Sequence, residues 1–369
     1  MKAKLKKSDL LVAVKVVSKA ITSRAQLPIL SSIKIEVNKE GCFLAATDLY
    51  LGIEMKIPVV TSQVGIAIVS GKEFRELLNT VQEGEIELTQ EDNQLLVKSQ
   101  DFKAKFSLYN SIDYPEFPQV KGKNIILPLT QLEKIEKRAF FAASSDQTRP
   151  LLTGVLLIKS KESWEAVTTD GFRLTKTELV DLDVGEGVES LLVPAQSLKE
   201  VISIARDEKV ERIKVTISAQ NQQLLFQIGE IKVYVRLLEG EYPPYQKIIP
   251  SSFSLRAEVD REQLLNHVKR ALIFCQNTSN IVRFSLNKTL EVSAVSSTLG
   301  TYQGEVELEK MEGESNNVAF NGRYLLDYLS SSDQTGVIFM MVEPLKPVVF
   351  CWPDNPKSIY VVMPFRVNN

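Results

Sequence analysis

Apolar residues recur along this chain at two alternating periods. A spacing of three to four residues, at Leu10, Val14 and Val17, at Leu132, Ile135 and Ala139, and at Leu264, Val268 and Leu272, predicts amphipathic helices with one buried face. These stretches open at Ser8, Thr130 and Asp260, side chains able to accept from the free N–H groups of a first helical turn. Thr130 with Glu133 and Asp260 with Gln263 also have the spacing of a capping box. A second helix is predicted midway through each stretch. Phe74, Leu77 and Leu78 follow Ser70 and Glu73, Leu198, Val201 and Ile202 follow Pro194, and Tyr324, Leu325 and Leu329 follow Asn321. Between helices the period falls to two, as in Ile33, Ile35 and Val37 or Ile213, Val215 and Ile217, with turn signals such as Lys39-Glu40-Gly41 between runs. Such alternation predicts short antiparallel strands with one face under the helices.

The helix openings lie 122 and 130 residues apart, so the chain reads as a threefold repeat whose units each contain two similar halves. Proline-rich stretches, Tyr114-Pro115-Glu116-Phe117-Pro118 and Tyr242-Pro243-Pro244-Tyr245, punctuate the repeat. The expected organisation is α+β, with three similar domains at 1–121, 122–251 and 252–369, each of two helices packed on antiparallel sheets.

Charge then changes the picture. Lys and Arg total 44 against 46 Asp and Glu, a net −2, which argues against a surface that grips nucleic acid everywhere. The positive charge is segregated, however. Between Met1 and Ala25, Lys2, Lys4, Lys6, Lys7, Lys15, Lys19 and Arg24 face only Asp9. That basic start superficially resembles a secretory leader, but Lys15 interrupts its apolar run and the same residues make a better helix. No run approaches the 18 or so apolar residues of a membrane span. Cys42, Cys275 and Cys351 are too few and too scattered for a cysteine-only metal site and fit a reducing compartment. The single His267 reads as a helix-surface histidine, and Thr169-Asp170-Gly171 as a turn. No phosphate-binding glycine loop or nucleophile elbow occurs. The residues therefore predict no catalytic set, no metal and no cofactor. They leave open a protein-only adaptor, and an enzyme of unspecified kind.

Several segments in order carry a resemblance: Ser23-Arg24-Ala25-Gln26-Leu27-Pro28-Ile29-Leu30, Ala46-Thr47-Asp48-Leu49, the two proline-rich stretches, Thr168-Thr169-Asp170-Gly171-Phe172-Arg173-Leu174, and Tyr360-Val361-Val362-Met363-Pro364-Phe365-Arg366. Over essentially its whole length the chain resembles the bacterial DNA polymerase III beta subunit family, the sliding clamps. The resemblance implies a head-to-tail homodimeric ring of DNA-clamp domains with helices facing a central hole. Twelve such helices with axes about 8 to 10 Å apart, a circumference of roughly 100 to 120 Å, would make a circle roughly 32 to 38 Å across; subtracting about 10 Å of helix leaves a hole of roughly 25 Å, enough for hydrated duplex DNA. The implied function is that of a processivity factor in DNA replication, not an enzyme. Such a factor would hold double-stranded DNA without reading its sequence and would tether the replicative DNA polymerase, the clamp loader and other replication and repair proteins in the bacterial cytoplasm.

The resemblance also assigns residues. Lys15, Lys19, Lys134, Lys137, Arg138, Lys199, Arg206, Lys269, Arg270 and Arg323 are expected to face the pore, with Arg24, Gln147 and Arg149 touching emerging DNA. Asp146 stands where the family commonly has Gln, which leaves Asp146 and Gln147 as alternatives. An apolar cleft for partner peptides would be built from Leu152, Thr169, Gly171, Phe172, Arg173, Leu174, Pro243, Lys247, Ile248, Val361, Val362, Met363, Pro364, Phe365 and Arg366, with the two arginines holding peptide carboxylates at the rim. Phe172, Lys247 and Phe365 depart from the His, Arg and Met common in the family. The ring seam would set Lys72, Phe106 and Ser107 against Ile273 and Phe274, with acidic residues near Glu305 on the second side.

Overall fold

The computed structural model describes every residue except 22–26, 162, 181, 186, 219–220, 276–278 and 367–369, and the backbone alone at 61 and 62. Among the described residues are six α-helices: α1 (Lys7–Val17), α2 (Gly71–Thr80), α3 (Leu129–Arg138), α4 (Ala195–Asp207), α5 (Arg261–Cys275) and α6 (Gly322–Ser330). The predicted apolar stripes are buried on α1 (Leu10, Val14 and Val17), α4 (Leu198, Val201 and Ile202) and α5 (Leu264, Val268 and Leu272), while Leu77 on α2 and Tyr324 on α6 are half-buried. Burying each of these larger side chains stabilises the fold by about 1.5 to 3 kcal/mol before chain entropy is set against it.

Every helix follows directly on a strand, an arrangement the hydrophobic pattern did not foretell. Lys2–Lys6, Gly65–Ser70, Lys123–Pro128, Ser190–Pro194, Leu255–Asp260 and Asn316–Asn321 lead into α1 to α6 in turn. Lys2–Lys6 is a strand because Ala3 and Leu5 point inward between exposed lysines. Strand-to-helix continuity also shifts two expected helix starts. α1 begins at Lys7 with Lys6 as its uncapped boundary, and Thr130 lies inside α3. Asp260 does cap α5, its carboxylate accepting from the Gln263 N–H at 2.7 Å, and the Asn321 side chain accepts from the Arg323 N–H to cap α6. Ser70 is bonded to the Glu73 side chain, not to a backbone N–H.

The chain divides into two compact units, Met1–Leu129 with Gln196–Leu237, and Thr130–Ala195 with Leu238–Asn369. In the first unit, one sheet has the order Val60–Gln63, Lys2–Lys6, Glu85–Glu91, Gln94–Lys98, Lys103–Ser107. A second, of eight strands, runs from Lys123–Pro128 at one edge to Gly65–Ser70 at the other, and pairs Ile231–Arg236 with Leu51–Ile57 at its middle. The second unit holds one twelve-stranded sheet from Ser190–Pro194 to Asn316–Asn321, in which Arg173–Leu179 pairs with Asn355–Val362. Every strand pairing described is antiparallel, as the alternation predicts. Ladders that join one sequence repeat to the next explain why the compact units cut through the middle block and do not end at 121 and 251.

Cys42, Cys275 and Cys351 are buried, and none forms a disulfide among the described residues. Burial pushes Cys42 up to about 12 and Cys351 up to about 11, which keeps both protonated and unreactive at neutral pH.

Candidate peptide cleft and nucleic-acid interface

The second unit assembles much of the expected cleft around one turn. After Trp164–Thr169, the Thr169 hydroxyl accepts from the Gly171 N–H at 3.0 Å and donates to the Arg173 carbonyl at 2.7 Å. Asp170 Oδ1 accepts from the N–H groups of Phe172 and Arg173 at 2.9 and 3.0 Å. Gly171 has φ +93°, a left-handed conformation that strains residues carrying a Cβ. The turn thrusts Phe172 outward, 60% exposed, a large apolar ring in water. Arg173 and Leu174 then pair with Val362 and Val361, and the Met363 N–H donates to the Phe172 carbonyl at 2.9 Å. Beneath lies a core cluster containing Leu174, Val361, Val167 and Tyr245, the last from the short turn Tyr245–Ile248.

The expected cleft residues therefore fall into two groups. Leu152, Thr169, Leu174, Val361 and Val362 are buried supports. Gly171, Phe172, Pro243, Lys247, Ile248, Met363, Phe365 and Arg366 are exposed, with Pro364 half-buried. Met363 beside Phe172 gives a flexible apolar surface suited to irregular side chains.

Arg173 requires a correction. Its side chain is 11% exposed, with Nε 2.9 Å from Asp170 Oδ2 and an Nη 2.6 Å from Asp327 Oδ2. Its guanidinium carbon sits 4.3 Å from the Tyr324 ring centre and 5.7 Å from that of Phe141. Burial opposes its charge, but Tyr360, Asp327 and Asp170 outweigh burial and raise its pKa above the ordinary arginine value. A cation so enclosed fastens the turn to α6 and does not stand at the rim for a peptide carboxylate. Sequence reasoning missed Asp327, 154 residues away, because nothing local marks the pair.

The basic residues also divide. In the first unit Lys15, Lys199 and Arg206 are exposed on α1 and α4. Lys19 is not: its ammonium lies 2.6 Å from the Ser203 hydroxyl, 3.4 Å from Glu200 and 4.0 Å from Asp207. It holds α4 and corrects the expectation of an open pore charge. In the second unit Lys269, Arg270 and Arg323 are exposed and Lys134 and Arg138 half-buried, while Lys137 is tied to Asp333 at 2.7 Å. Gln147 and Arg149 are exposed. Asp146 spends its carboxylate on the Thr148 hydroxyl and N–H, at 2.7 and 2.9 Å, and those bonds lower its pKa. Asp146 thus shapes the loop that carries Gln147 and Arg149. Arg24 lies outside the described residues.

Of the seam residues, Lys72, Ser107 and Ile273 are exposed. Phe106 packs edge-on against Phe74 at 5.6 Å, and Phe274 stacks on Tyr302 at 5.8 Å.

His267 is the surface-boundary histidine expected, its Nδ1 2.7 Å from the Tyr302 hydroxyl. Burial, and then the Arg270 cation, hold its pKa below the usual 6.5. The unfolded chain therefore takes up this proton first as pH falls. The contribution of His267 to stability is complete above about pH 6.5 and is lost as pH falls toward the folded-state pKa. His267→Gln should accordingly flatten the fall in urea stability between pH 7.5 and pH 5, and an unchanged slope would refute the assignment.

Among the described residues no helix is long and apolar enough to cross a membrane, and no group of His, Cys, Asp or Glu could hold a metal ion.

Comparison with known proteins gives this arrangement a class. Residues 1–121, 126–244 and 246–366 match the family models of the N-terminal, central and C-terminal domains of the DNA polymerase III beta subunit. The beta sliding clamp of Synechocystis sp. is 28% identical over 393 aligned positions that cover all of both chains. That of Staphylococcus aureus (strain Mu50) is 28% identical over 94% of each. The sliding clamp of Bacillus subtilis superposes with a TM-score of 0.91 at 25% identity, covering all of both chains. The DNA polymerase III beta chain of Streptococcus pneumoniae gives the same score and identity over 99% of this chain and all of its own. The fold is thus that of a clamp protomer, three domains of helices on antiparallel sheets. The chain belongs to the DNA polymerase III beta subunit family, the beta sliding clamps.

Proposed function

We propose that two copies of this chain close head to tail into a ring around duplex DNA, each copy built of domains at 1–121, 122–251 and 252–369. The ring slides without reading sequence, performs no catalysis, and tethers the replicative polymerase, the clamp loader and other replication and repair proteins through the cleft beside Phe172, in the cytoplasm. One observation carries this reading. In a chain of net charge −2, the helices present exposed cations at Lys15, Arg75, Lys199 with Arg206, Lys269 with Arg270, and Arg323. Dense phosphate contacts would make a ring stick, whereas a modest field on helix faces keeps DNA centred and mobile.

The test separates topology from affinity. A protein held by six to ten phosphate contacts loses about 10³ to 10⁵ in affinity between about 50 and 200 mM salt. The loaded ring should stay on circular DNA across that range and leave within seconds once the circle is cut. Equal retention on cut and closed DNA, or steep loss from circles with salt, defeats the ring.

A further inference from the structure

The turn that presents Phe172 occurs twice. In the first unit the Thr47 hydroxyl accepts from the Leu49 N–H and donates to the Leu51 carbonyl, both at 3.0 Å. Asp48 Oδ1 accepts from the N–H groups of Tyr50 and Leu51 at 2.9 and 2.7 Å. Bond for bond this is the set made by Thr169 and Asp170. Leu49 takes the left-handed place of Gly171 at φ +78°, and Tyr50 takes that of Phe172, 56% exposed. The following ladder is repeated as well. Leu51 stands opposite Val235 as Arg173 stands opposite Val362, and the Arg236 N–H donates to the Tyr50 carbonyl at 2.8 Å as Met363 donates to Phe172. By register, Arg236 occupies the place of Met363 and Gly52 that of Leu174.

An open cavity of about 180 Å³ lies here, with Tyr50, Gly52, Glu116, Phe117, Tyr234 and Arg236 in its wall. Gly52 is what lets Phe117 approach, since a Cβ there would meet the Phe117 ring at 2.7 Å. Phe117 in turn packs on Tyr234 with ring centres 5.0 Å apart. Pockets for small cofactors run to about 300 to 1,000 Å³. This one has room for a single large side chain, and the exposed Tyr50 forms part of its wall.

We propose that this cavity is a second peptide-docking site, for an extended segment that inserts one apolar side chain between Tyr50 and the Phe117–Tyr234 pair and sets a carboxylate against Arg236. The proposal rests on the reading that the duplicate cleft at Phe172 binds peptides. The two sites differ in chemistry. Met363 keeps the first apolar, whereas Arg236 gives the second a cationic lip. Glu116, in the same wall, repels a uniformly acidic segment and so requires apolar and acidic residues together.

The test titrates the full-length protein by calorimetry with an acetylated octapeptide in which leucine and phenylalanine alternate with aspartate. The wild type should bind two peptides per chain. Tyr50→Ser with Arg236→Glu should weaken one site at least about ten-fold, equivalent to about 1.4 kcal/mol, and Phe172→Ser with Met363→Asp should weaken the other. Thermal unfolding checks each variant's fold. Arg236→Glu alone, at an exposed position, should abolish the preference for this peptide over its asparagine counterpart. One peptide per wild-type chain, untouched by the Tyr50 and Arg236 changes, overturns the second site and leaves the first standing. Two sites in the Phe172 and Met363 variant, with one lost in the Tyr50 and Arg236 variant, overturn the first and support the second. No binding by the wild type overturns both.

Discussion

Ser107→Pro combined with Ile273→Asp should leave the protein folded, monomeric and unable to remain on a DNA circle. The expectation follows from two strand edges. Lys103–Ser107 ends the five-stranded sheet. Bonds from the Leu108 N–H to Asn93 and from the Ser99 N–H to Phe102 put the even-numbered residues on the inner side of the ladder, so the backbone groups of Lys103, Lys105 and Ser107 point outward. In the second unit Gly300–Gly313 pairs with Thr289–Ser296 through residues 300–307 but meets Leu255–Asp260 only from 308 onward. One side of 300–307 has no partner strand among the described residues, and it carries exposed Glu305 and Glu307 where the first edge carries exposed Lys103 and Lys105. Two open edges of opposite charge invite pairing between copies, and a head-to-tail contact of this kind closes into a ring. Ile273, 58% exposed on α5 while Leu272 and Ala271 face the core, supplies an apolar contact. Proline at 107 removes an outward N–H without breaking an internal bond. Aspartate at 273 would leave a carboxylate unpaired in the closed seam, at a cost of about 3 to 5 kcal/mol. Together they should raise the dimer dissociation constant by at least about 10³-fold, while stability changes by less than about 0.5 kcal/mol at these exposed positions. Sedimentation at micromolar concentration reads the first and urea unfolding the second. A variant that stays dimeric refutes this seam.

The sequence made the helices and most strands legible because their periods are local. Leu264, Val268 and Leu272, or Ile33, Ile35 and Val37, reveal their buried faces with no knowledge of what covers them. The strand Lys2–Lys6 escaped because its exposed lysines read as a basic run, although Ala3 and Leu5 carry the alternation. What joins the repeats was hidden for a different reason. The pairings of Leu51–Ile57 with Ile231–Arg236 and of Arg173–Leu179 with Asn355–Val362 depend on partners far along the chain, and single-sequence periodicity carries no pairing information. The duplicated turn was half legible. Thr-Asp recurs at Thr47 and Thr169, but the usual marker of the left-handed position, Gly171, is replaced by Leu49, so identity at that site conceals what the backbone repeats. Family resemblance supplied Phe172, Met363 and Ile273; only geometry showed that Arg173 and Lys19 are held in internal ion pairs.

Replacing Arg173 with methionine should lower the unfolding free energy by about 2 to 3 kcal/mol and weaken peptide binding at the Phe172 cleft by about ten-fold. Breaking a fully buried ion pair by removing one partner costs about 3 to 5 kcal/mol. Here Asp327 is 41% exposed and recovers water, and Asp170 keeps the N–H groups of Phe172 and Arg173, so the loss falls short of that range. Methionine retains the length that packs between Phe141 and Tyr324 but neither ion pair. Arg173→Lys should recover less than half the stability, since one compact ammonium cannot span Asp170 and Asp327 as the planar guanidinium does. Affinity falls because the turn that aims Phe172 is fastened to α6 through Asp327, and a loosened turn must be ordered again when peptide binds. Asp327→Asn distinguishes this from direct contact. If Arg173 acts through the turn, Asp327→Asn weakens binding in the same direction, and its effect and that of Arg173→Met are less than additive. If Arg173 instead grasps a peptide carboxylate, Asp327→Asn frees the guanidinium and binding tightens. Urea unfolding and peptide titration of the two single variants and the double variant read both quantities, and a tightened Asp327→Asn complex would return Arg173 to the rim.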